Sequence, residues 1–249
     1  MIILKSAEEL AAMRRAGRVV AEAHALVREL VKPGLTTWDL DRAVEEFLLR
    51  HNAVPAFKGY HGYPASICAS VNEVVVHGIP SRDVVLEEGS IISVDIGAFV
   101  DGFCGDSAWT YPVGEVAPET QRLLAVTEEA LFLGIEQAQV GNRLSDISHA
   151  VQSHVESHGF SVVRDFVGHG IGRQMHEAPQ IPNFGPPGRG PRLKPGMTLA
   201  IEPMVNVGGY QVEVLADHWT VVTRDRCWSA HFEHTVAVTE DGPVILTVL

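Results

Sequence analysis

The sequence has few cysteines, a deficit of positive charge and no long apolar run. Three cysteines in 249 residues are too few for a disulfide-stapled fold, so reduced thiols and a cytoplasmic protein are expected. No apolar stretch approaches the roughly 20 residues of a membrane-spanning helix, and the N-terminus does not resemble a signal peptide. Lys and Arg number 19 against 31 Asp and Glu, a formal net charge of −12, which disfavours a general nucleic-acid binder.

The overall composition of the chain is that of a globular protein. Hydrophobic residues make up 46% and charged residues 20%, which excludes a disordered or fibrous chain. No linker or low-complexity segment divides residues 1–249, so we expect a single catalytic domain. Twelve histidines, together with the acidic excess, modestly favour metal chemistry.

Local signals predict four helices among a larger number of strands, which is an α+β chain. Ser6 and Thr36 have the form of helix N-caps, each followed three residues later by an acidic residue. Pro118 is expected to begin a third helix, and Ser145 a fourth. Most of the remaining chain reads as strand.

Segments of the chain recur in order, which predicts two similar halves at roughly 30–115 and 116–249. His77-Gly78-Ile79 recurs as His169-Gly170-Ile171, and each is followed by an acidic strand. We therefore expect each half to supply helices, a His-Gly-Ile turn and one strand carboxylate, with the halves packed about a pseudo-twofold axis. Chance similarity between amphipathic segments is the alternative.

Two aspartates lie in an otherwise apolar hairpin. Asp101-Gly102 predicts a tight turn between strands at residues 90–100 and 103–111. In that register Asp95 and Asp106 are diagonal neighbours on one face of the hairpin. Two carboxylates that close together need a cation between them or a shared proton.

Three more residues have the same unusual character. Glu202 interrupts an apolar stretch, Glu233 begins a predicted strand, and His169 lies in a glycine-rich turn at 168–172. Each acidic residue taken alone would be read as an edge or salt-bridged position. Four apparently buried carboxylates with a histidine instead favour a site for divalent metals in mainly oxygen coordination, where two ions sharing carboxylates can assist hydrolysis.

Other catalytic motifs are absent from the sequence. There is no nucleophile elbow and no phosphate-binding loop, and His176-Glu177-Ala178-Pro179-Gln180 departs from the zinc-protease helix motif. Cys68 and Cys104 are interpreted as small core residues rather than nucleophiles.

Further motifs give the chain a specific resemblance over nearly its whole length. They are Gly59-Tyr60-His61-Gly62-Tyr63-Pro64, Asn72-Glu73-Val74-Val75-Val76-His77-Gly78-Ile79-Pro80, Gly168-His169-Gly170-Ile171-Gly172 and Leu193-Lys194-Pro195-Gly196-Met197-Thr198. With Asp95, Asp106, His169, Glu202 and Glu233, the chain resembles the type I methionine aminopeptidases. The resemblance implies the pita-bread fold, in which two pseudo-symmetric halves place helices on a curved, mainly antiparallel sheet.

The resemblance also implies a centre of two divalent metals, for which cobalt, manganese, iron and zinc are all suitable. Asp106 and Glu233 would bridge the two ions, Asp95 would complete one, and His169 with Glu202 the other. A water activated by the metals would be the nucleophile, and Glu202 its proton shuttle.

The same resemblance implies a substrate site beside the metals. His77 and His176 would lie near the scissile peptide, with His176 stabilising the intermediate. The walls of the methionine pocket would be Phe57, Tyr60, Tyr63, Met175 and Trp219. A monovalent cation would bind near Asn72, Val74 and Ser229.

The implied function is removal of the initiator methionine from nascent proteins whose second residue is small. The partners would be nascent polypeptide N-termini, and the family expectation is a monomer; ribosome association would suit this role, although no motif indicates it. The sequence departs from the family pattern at Phe57, at His231 and in the loop at 183–191. The alternatives are a proline-specific aminopeptidase or prolidase of the same fold and, in another class, a metal-free binding module.

Overall fold

Four helices and fifteen short strands make up the chain, and the computed structural model describes residues 1–249. The helices are α1 (Ala7–Leu30), α2 (Thr37–Arg50), α3 (Pro118–Glu136) and α4 (Leu144–Ser157), with a single 3-10 turn at Tyr60–Gly62. The strands of the first half are β1 (Val54–Pro55), β2 (Cys68–Val71), β3 (Val74–Val76), β4 (Ile91–Val100) and β5 (Phe103–Pro112). Those of the second half are β6 (Ser161–Val162), β7 (Gly168–Gly170), β8 (Glu177–Ile181), β9 (Thr198–Ile201), β10 (Met204–Asn206), β11 (Val212–Val214), β12 (Val221–Thr223), β13 (Ser229–His231), β14 (His234–Thr239) and β15 (Gly242–Ile245).

The predicted starts of the first three helices are confirmed, whereas α4 begins at Leu144, one residue before the predicted Ser145. The Ser6 hydroxyl accepts the backbone N–H of Glu9 at 3.3 Å, and the Glu9 carboxylate accepts the N–H of Ser6 at 3.0 Å. Thr36 and Asp39 form the same reciprocal pair at the start of α2. Each of these capping boxes satisfies backbone N–H groups that the first turn of a helix leaves without partners.

The predicted hairpin is also confirmed, with its register. Val100 pairs with Phe103, and Gly97 pairs with Asp106. Asp101 and Gly102 have φ angles of 52° and 77°, the left-handed conformation that a two-residue hairpin turn requires. Asp95 and Asp106 therefore lie on the same face of the hairpin.

Helix α1 packs closely against β5 because two glycines meet there. A Cβ atom at Gly17 would lie 2.3 Å from the carbonyl oxygen of Leu246, and one at Gly105 would lie 2.7 Å from the nitrogen of Gly17. The buried His24 side chain of α1 then bonds the Ser107 carbonyl and the Tyr111 hydroxyl, each at 2.8 Å. These contacts fix one face of the hairpin that carries the two aspartates.

All strand pairs are antiparallel, which confirms the α+β class. β4 pairs with β1, β2 and β5, and the largest sheet has the order β15-β14-β9-β7-β8. The hairpin meets that sheet where the Ser107 hydroxyl donates to the Glu233 carbonyl at 2.7 Å and the Glu233 N–H donates to the Ala108 carbonyl at 2.8 Å. Strands from both halves therefore converge on one place.

The predicted glycine-rich turn around His169 is wrong, because Gly168–Gly170 is a strand paired with β8 and β9. A Cβ atom at Gly168 would lie 2.4 Å from the Ala200 carbonyl oxygen, and one at Gly170 would lie 2.1 Å from that of Ala178. The glycines thus permit close approach of neighbouring backbones rather than a reversal of the chain.

Two strand boundaries also differ from expectation. Glu202 was expected inside one apolar strand, but β9 ends at Ile201 and β10 begins only at Met204. Glu233 was expected to begin a strand, but β14 begins at the next residue. Both glutamates therefore occupy breaks beside strand ends.

The apolar core is divided into clusters on either side of the site. One cluster of 24 buried residues includes the inner faces of α3 and α4, and another of 16 includes those of α1 and α2. A third, of 13 buried residues, includes Phe57, Tyr63 and Met175 and lies at the site itself. None of the four helices combines the length and hydropathy that crossing a bilayer requires.

Candidate metal centre and active site

The five predicted ligands come from five different segments and meet at one cavity of about 250 Å³. Two are on the hairpin, one is on β7, and two lie at the breaks beside β9 and β14. In that order they are Asp95, Asp106, His169, Glu202 and Glu233.

The distances between the side chains are those of a ligand cluster. Nε2 of His169 lies 3.6 Å from Oε1 of Glu202 and 4.0 Å from Oδ2 of Asp106. Asp106, His169 and Glu233 each place one ligand atom within 4.8 Å of the other two. A single cation between them would contact all three.

Backbone contacts across the two halves fix the central carboxylates. The Thr235 hydroxyl accepts the Asp106 N–H at 3.1 Å and donates to the Asp106 carbonyl at 2.8 Å. Asp106 and Glu233 are 3% and 2% exposed. Their positions are therefore set by the fold before any ligand binds.

The carboxylates destabilise one another in the absence of a cation. Burial raises the pKa of Asp95 well above its usual range, and the charges of Asp106 and Glu202 raise it further. Burial raises the pKa of Asp106 to about 7. Burial, followed by the charge of Asp106, likewise raises the pKa values of Glu202 and Glu233 well above their usual range.

The available ligand atoms fit a divalent metal. Asp95 Oδ1, Asp106 Oδ1 and Glu233 Oε1 are buried and have no hydrogen-bond partner, a costly state unless an ion coordinates them. Nδ1 of His169 lies 2.9 Å from the Gly170 carbonyl and donates to it, which leaves Nε2 free as a ligand. Burial lowers the pKa of His169 to about 4, so the imidazole is neutral, as metal ligation requires.

Two more histidines border the five candidate ligands. The ring of His176 lies 4.3 Å from that of His169, centroid to centroid, and its Nδ1 lies 2.8 Å from the Tyr60 hydroxyl. His77 packs edge-on against Phe166 at 5.5 Å, and burial lowers its pKa to about 4. Burial also lowers the pKa of His176, so both rings are neutral at neutral pH.

The rest of the cavity wall is largely apolar and aromatic. Trp219 meets Tyr63 edge-on at 5.1 Å, and Met175 is 4% exposed. Phe57 packs directly over Gly97, where an added Cβ would lie 2.7 Å from the Phe57 ring. The structure thus brings together all the predicted pocket residues: Phe57, Tyr60, Tyr63, Met175 and Trp219.

Some cavity residues were not found from the sequence. Cys68 belongs to the buried core, as interpreted from the sequence, but it also pairs with Asp95 in the sheet and lines the cavity. Phe166 and Val167 line the cavity too. Only the pairing of β2 with β4 reveals this position of Cys68. His231, which the sequence marks as a departure from the family pattern, is not part of the cavity lining, but its Nε2 lies 3.5 Å from Oε2 of Glu202.

The other predicted positions lie outside the cavity lining. The Ser229 N–H donates to the Asn72 carbonyl at 2.9 Å, and Val74 begins β3 two residues after Asn72. Asn72 and Ser229 are therefore adjacent, while their role as cation ligands stays a prediction. The loop at 183–191 begins with Asn183, whose amide donates to the Glu202 carbonyl at 2.9 Å.

Two buried and two half-buried carboxylates with a neutral imidazole, beside an apolar cavity, define a metallopeptidase site. The family model described as "Metallopeptidase family M24" matches residues 11–240, and the chain belongs to this family. Among its curated relatives, "Methionine aminopeptidase 1" of Bacillus subtilis is 57% identical over 247 residues, 99% of each chain. "Methionine aminopeptidase" of Clostridium acetobutylicum is 55% identical over 248 residues, 100% of this chain and 99% of the relative.

Solved structures of methionine aminopeptidases and prolidases superpose on this chain and show the same fold. The methionine aminopeptidase of Thermotoga maritima superposes with a TM-score of 0.99 at 50% identity, covering 100% of both chains. The prolidase of Pyrococcus furiosus superposes at 0.81 with 22% identity, covering 99% of this chain and 66% of its own. The first similarity confirms the predicted pita-bread fold, whereas the second is one of fold alone.

Proposed function

We propose that the chain is a metal-dependent aminopeptidase that removes the initiator methionine from nascent proteins whose second residue is small. The observation that carries the proposal is identity of 55–57% to methionine aminopeptidases over the full chain. The five candidate ligands and the adjoining apolar cavity are the chemistry that this activity needs. The distant prolidase likeness supplies no comparable support.

The metal centre is assigned to two divalent ions, of manganese, iron, cobalt or zinc. The residues that would hold the ions are Asp95, Asp106, His169, Glu202 and Glu233. Their unpartnered oxygens and free imidazole nitrogen support this assignment. When bound, such ions polarise the scissile carbonyl and make water acidic enough to attack it at neutral pH.

The chain's own residues then handle protons and charge. Glu202 lines the cavity beside His169, takes the proton of the attacking water and returns it to the departing amine. We assign the Tyr60 hydroxyl as the donor in its 2.8 Å contact with Nδ1 of His176, which leaves the proton of the neutral ring on Nε2. That N–H is a donor for the carbonyl oxygen as negative charge develops there, and His77 borders the same region.

The cavity wall accounts for the choice of methionine. Its aromatic faces suit an unbranched thioether, since sulfur–aromatic contacts contribute roughly 0.3–1.5 kcal/mol each. His77 and His176 border the cavity together with Trp219 and leave little room for a large second residue. The substrate is therefore a nascent N-terminus with methionine first and a small residue second.

Several further expectations accompany this function. We infer that the chain acts as a monomer in the cytoplasm, where nascent chains are found, and in contact with the ribosome. We also infer that it is one catalytic domain with an internal repeat, which the two helix pairs α1–α2 and α3–α4 support. A monovalent cation near Asn72, Val74 and Ser229 is part of the same proposal.

A peptide panel with divalent metal supplied tests the function, with products read by mass spectrometry. Met-Ala-Ser and Met-Gly-Met-Met should lose methionine rapidly, whereas Met-Lys, Met-Phe and formyl-Met peptides should resist. Preference for Ala-Pro peptides would instead indicate a proline-specific enzyme. Cleavage of no peptide would support a binding module.

A further inference from the structure

A buried ion pair lies directly beneath the turn that carries His176. Nζ of Lys5 is 2.5 Å from Oε2 of Glu177, and the two side chains are only 3% and 6% exposed. Burying two charges is costly, and such a pair contributes little net stability compared with apolar packing. Glu177 directly follows His176 in the sequence, so the ion pair lies next to a candidate catalytic residue.

The pair closes the turn on its inner side. The other oxygen of Glu177 accepts the Gln174 N–H at 3.3 Å, and the Gly172 N–H donates to the Gln174 carbonyl at 3.0 Å. A Cβ atom at Gly172 would lie 2.4 Å from Cε of Lys5. The lysine stem therefore fills the space under residues 172–177, and its ammonium group is aimed at the residue after His176.

Lys5 is itself fixed to the part of the fold that carries the metal ligands. Its backbone N–H donates to the Gly196 carbonyl at 2.7 Å, and the Gly196 N–H donates to the Val238 carbonyl at 2.9 Å. Gly196 comes just before β9, which ends beside Glu202. The N-terminal segment thus connects the His176 turn to the sheet that contains β9 and β14, beside the candidate ligands Glu202 and Glu233.

We propose that Lys5 is a positioning residue for His176, which acts through Glu177 to hold the imidazole at a fixed distance from the metal ligands. The inference rests on the proposed function, because turnover is measured as methionine release. A displacement of about 1 Å in a group that contacts the reacting atoms can lower the rate about a hundredfold. Loss of the pair should therefore lower kcat rather than substrate binding.

The same turn offers a matched control. Arg173 forms an ion pair with Glu9 of α1 at 3.2 Å, but these side chains are 64% and 31% exposed. Exposed pairs contribute little, so this connection between α1 and the turn should be dispensable. Arg173→Met and Glu9→Gln remove one positive and one negative charge, as Lys5→Met and Glu177→Gln do. They leave the buried side chains of the Lys5–Glu177 pair unchanged.

The experiment compares Lys5→Met, Glu177→Gln and the double variant with those two controls. We expect kcat on Met-Ala-Ser to fall about ten- to a hundredfold in each variant of the pair, with KM and bound metal unchanged. The double variant should be no slower than the slower single variant, because two residues that act as one unit are not additive. The controls should keep the wild-type kcat.

A second measurement does not depend on turnover. Hydrogen exchange of the 172–181 backbone in metal-free protein should be faster in the Lys5 and Glu177 variants and unchanged in the controls. Wild-type kcat in a Glu177→Gln protein would overturn the proposal, and so would exchange that stays at the wild-type rate. Failure of the wild-type protein itself to release methionine would instead overturn the proposed function. If Lys5→Met does not fold, the near-isosteric Glu177→Gln still decides the question.

Discussion

The hydroxyl of Tyr60 lies 2.8 Å from Nδ1 of His176, although the two residues are 116 positions apart. Tyr60 belongs to the 3-10 turn at Tyr60–Gly62, which follows Gly59 with a φ of 85°. This turn in the first half of the chain therefore supplies a hydrogen-bond partner for an imidazole from the second half.

Tyr60→Phe tests that contact. The variant keeps the aromatic wall but leaves the imidazole without its partner, so we expect kcat to fall about tenfold, the equivalent of a net hydrogen bond of about 1.4 kcal/mol. KM for methionyl peptides should change little. Tyr210→Phe is the control, because Tyr210 stacks on Arg164 at 4.1 Å, away from the cavity. A Tyr60→Phe enzyme with wild-type kcat would show that the bond does not orient His176.

Metal loading should release protons. In the metal-free protein burial raises the pKa of Asp95, Glu202 and Glu233 well above the usual range, so these groups retain protons that a cation must displace. Titration calorimetry at pH 7 in buffers of different ionisation heat should show a heat that depends on the buffer, and affinity should weaken as the pH falls. Chelation should abolish peptide cleavage and lower the Tm, because a metal that binds only the folded state stabilises it.

Asp106→Asn should separate metal affinity from stability. Burial raises the Asp106 pKa to about 7, so at pH 8 Asp106 is mostly ionised, and its buried negative charge is costly without a cation. The amide removes that charge at nearly constant volume, and the metal-free variant should therefore melt at a higher temperature than metal-free wild type. It should also lose metal and activity, because one of the proposed metal ligands is missing.

The control for this comparison is Asp101→Asn in the hairpin turn. Asp101 forms an exposed ion pair with Arg15, and asparagine tolerates its left-handed backbone conformation. We expect metal binding to be unchanged in this variant. A metal-free Asp106→Asn protein that melts below the wild type would show that the buried Asp106 charge does not limit the stability of the metal-free protein.

The local features of this fold could be predicted from sequence because their causes are local. The caps at Ser6 and Thr36 and the turn at Asp101-Gly102 each depend on a few adjacent residues. The hairpin register then follows from the turn length, which placed Asp95 and Asp106 on one face before the structure was known.

Other parts of the site depend on contacts between distant segments. The glycines beside His169 indicated a turn, but they serve close packing against the Ala178 and Ala200 backbones. The position of Cys68 opposite Asp95 requires the pairing of β2 with β4. His231 approaches Glu202 because the ends of two strands lie side by side, and no local sequence pattern predicts that arrangement.

The last prediction concerns His24, which connects α1 to the hairpin. Its Nε2–H donates to the Ser107 carbonyl and its Nδ1 accepts from the Tyr111 hydroxyl, each at 2.8 Å. Burial lowers the pKa of His24 to about 3, whereas an unfolded histidine has a pKa of about 6.5. As the pH falls below that value, only the unfolded chain binds the proton, and the free energy of unfolding decreases by about 1.4 kcal/mol per pH unit for this group.

His24→Gln removes the titration while leaving a donor and an acceptor for the same two partners. Denaturant unfolding of metal-free protein between pH 6 and pH 4 should therefore show a shallower loss of stability than the wild type, by about 1.4 kcal/mol per pH unit. Tyr111→Phe is the control, because it removes one hydrogen bond but keeps the imidazole. It should lower stability by about 1–3 kcal/mol at every pH and retain the steep slope. Parallel slopes for His24→Gln and wild type would mean that His24 is protonated within the folded core, and that α1 separates from the hairpin more easily than its packing at Gly17 indicates.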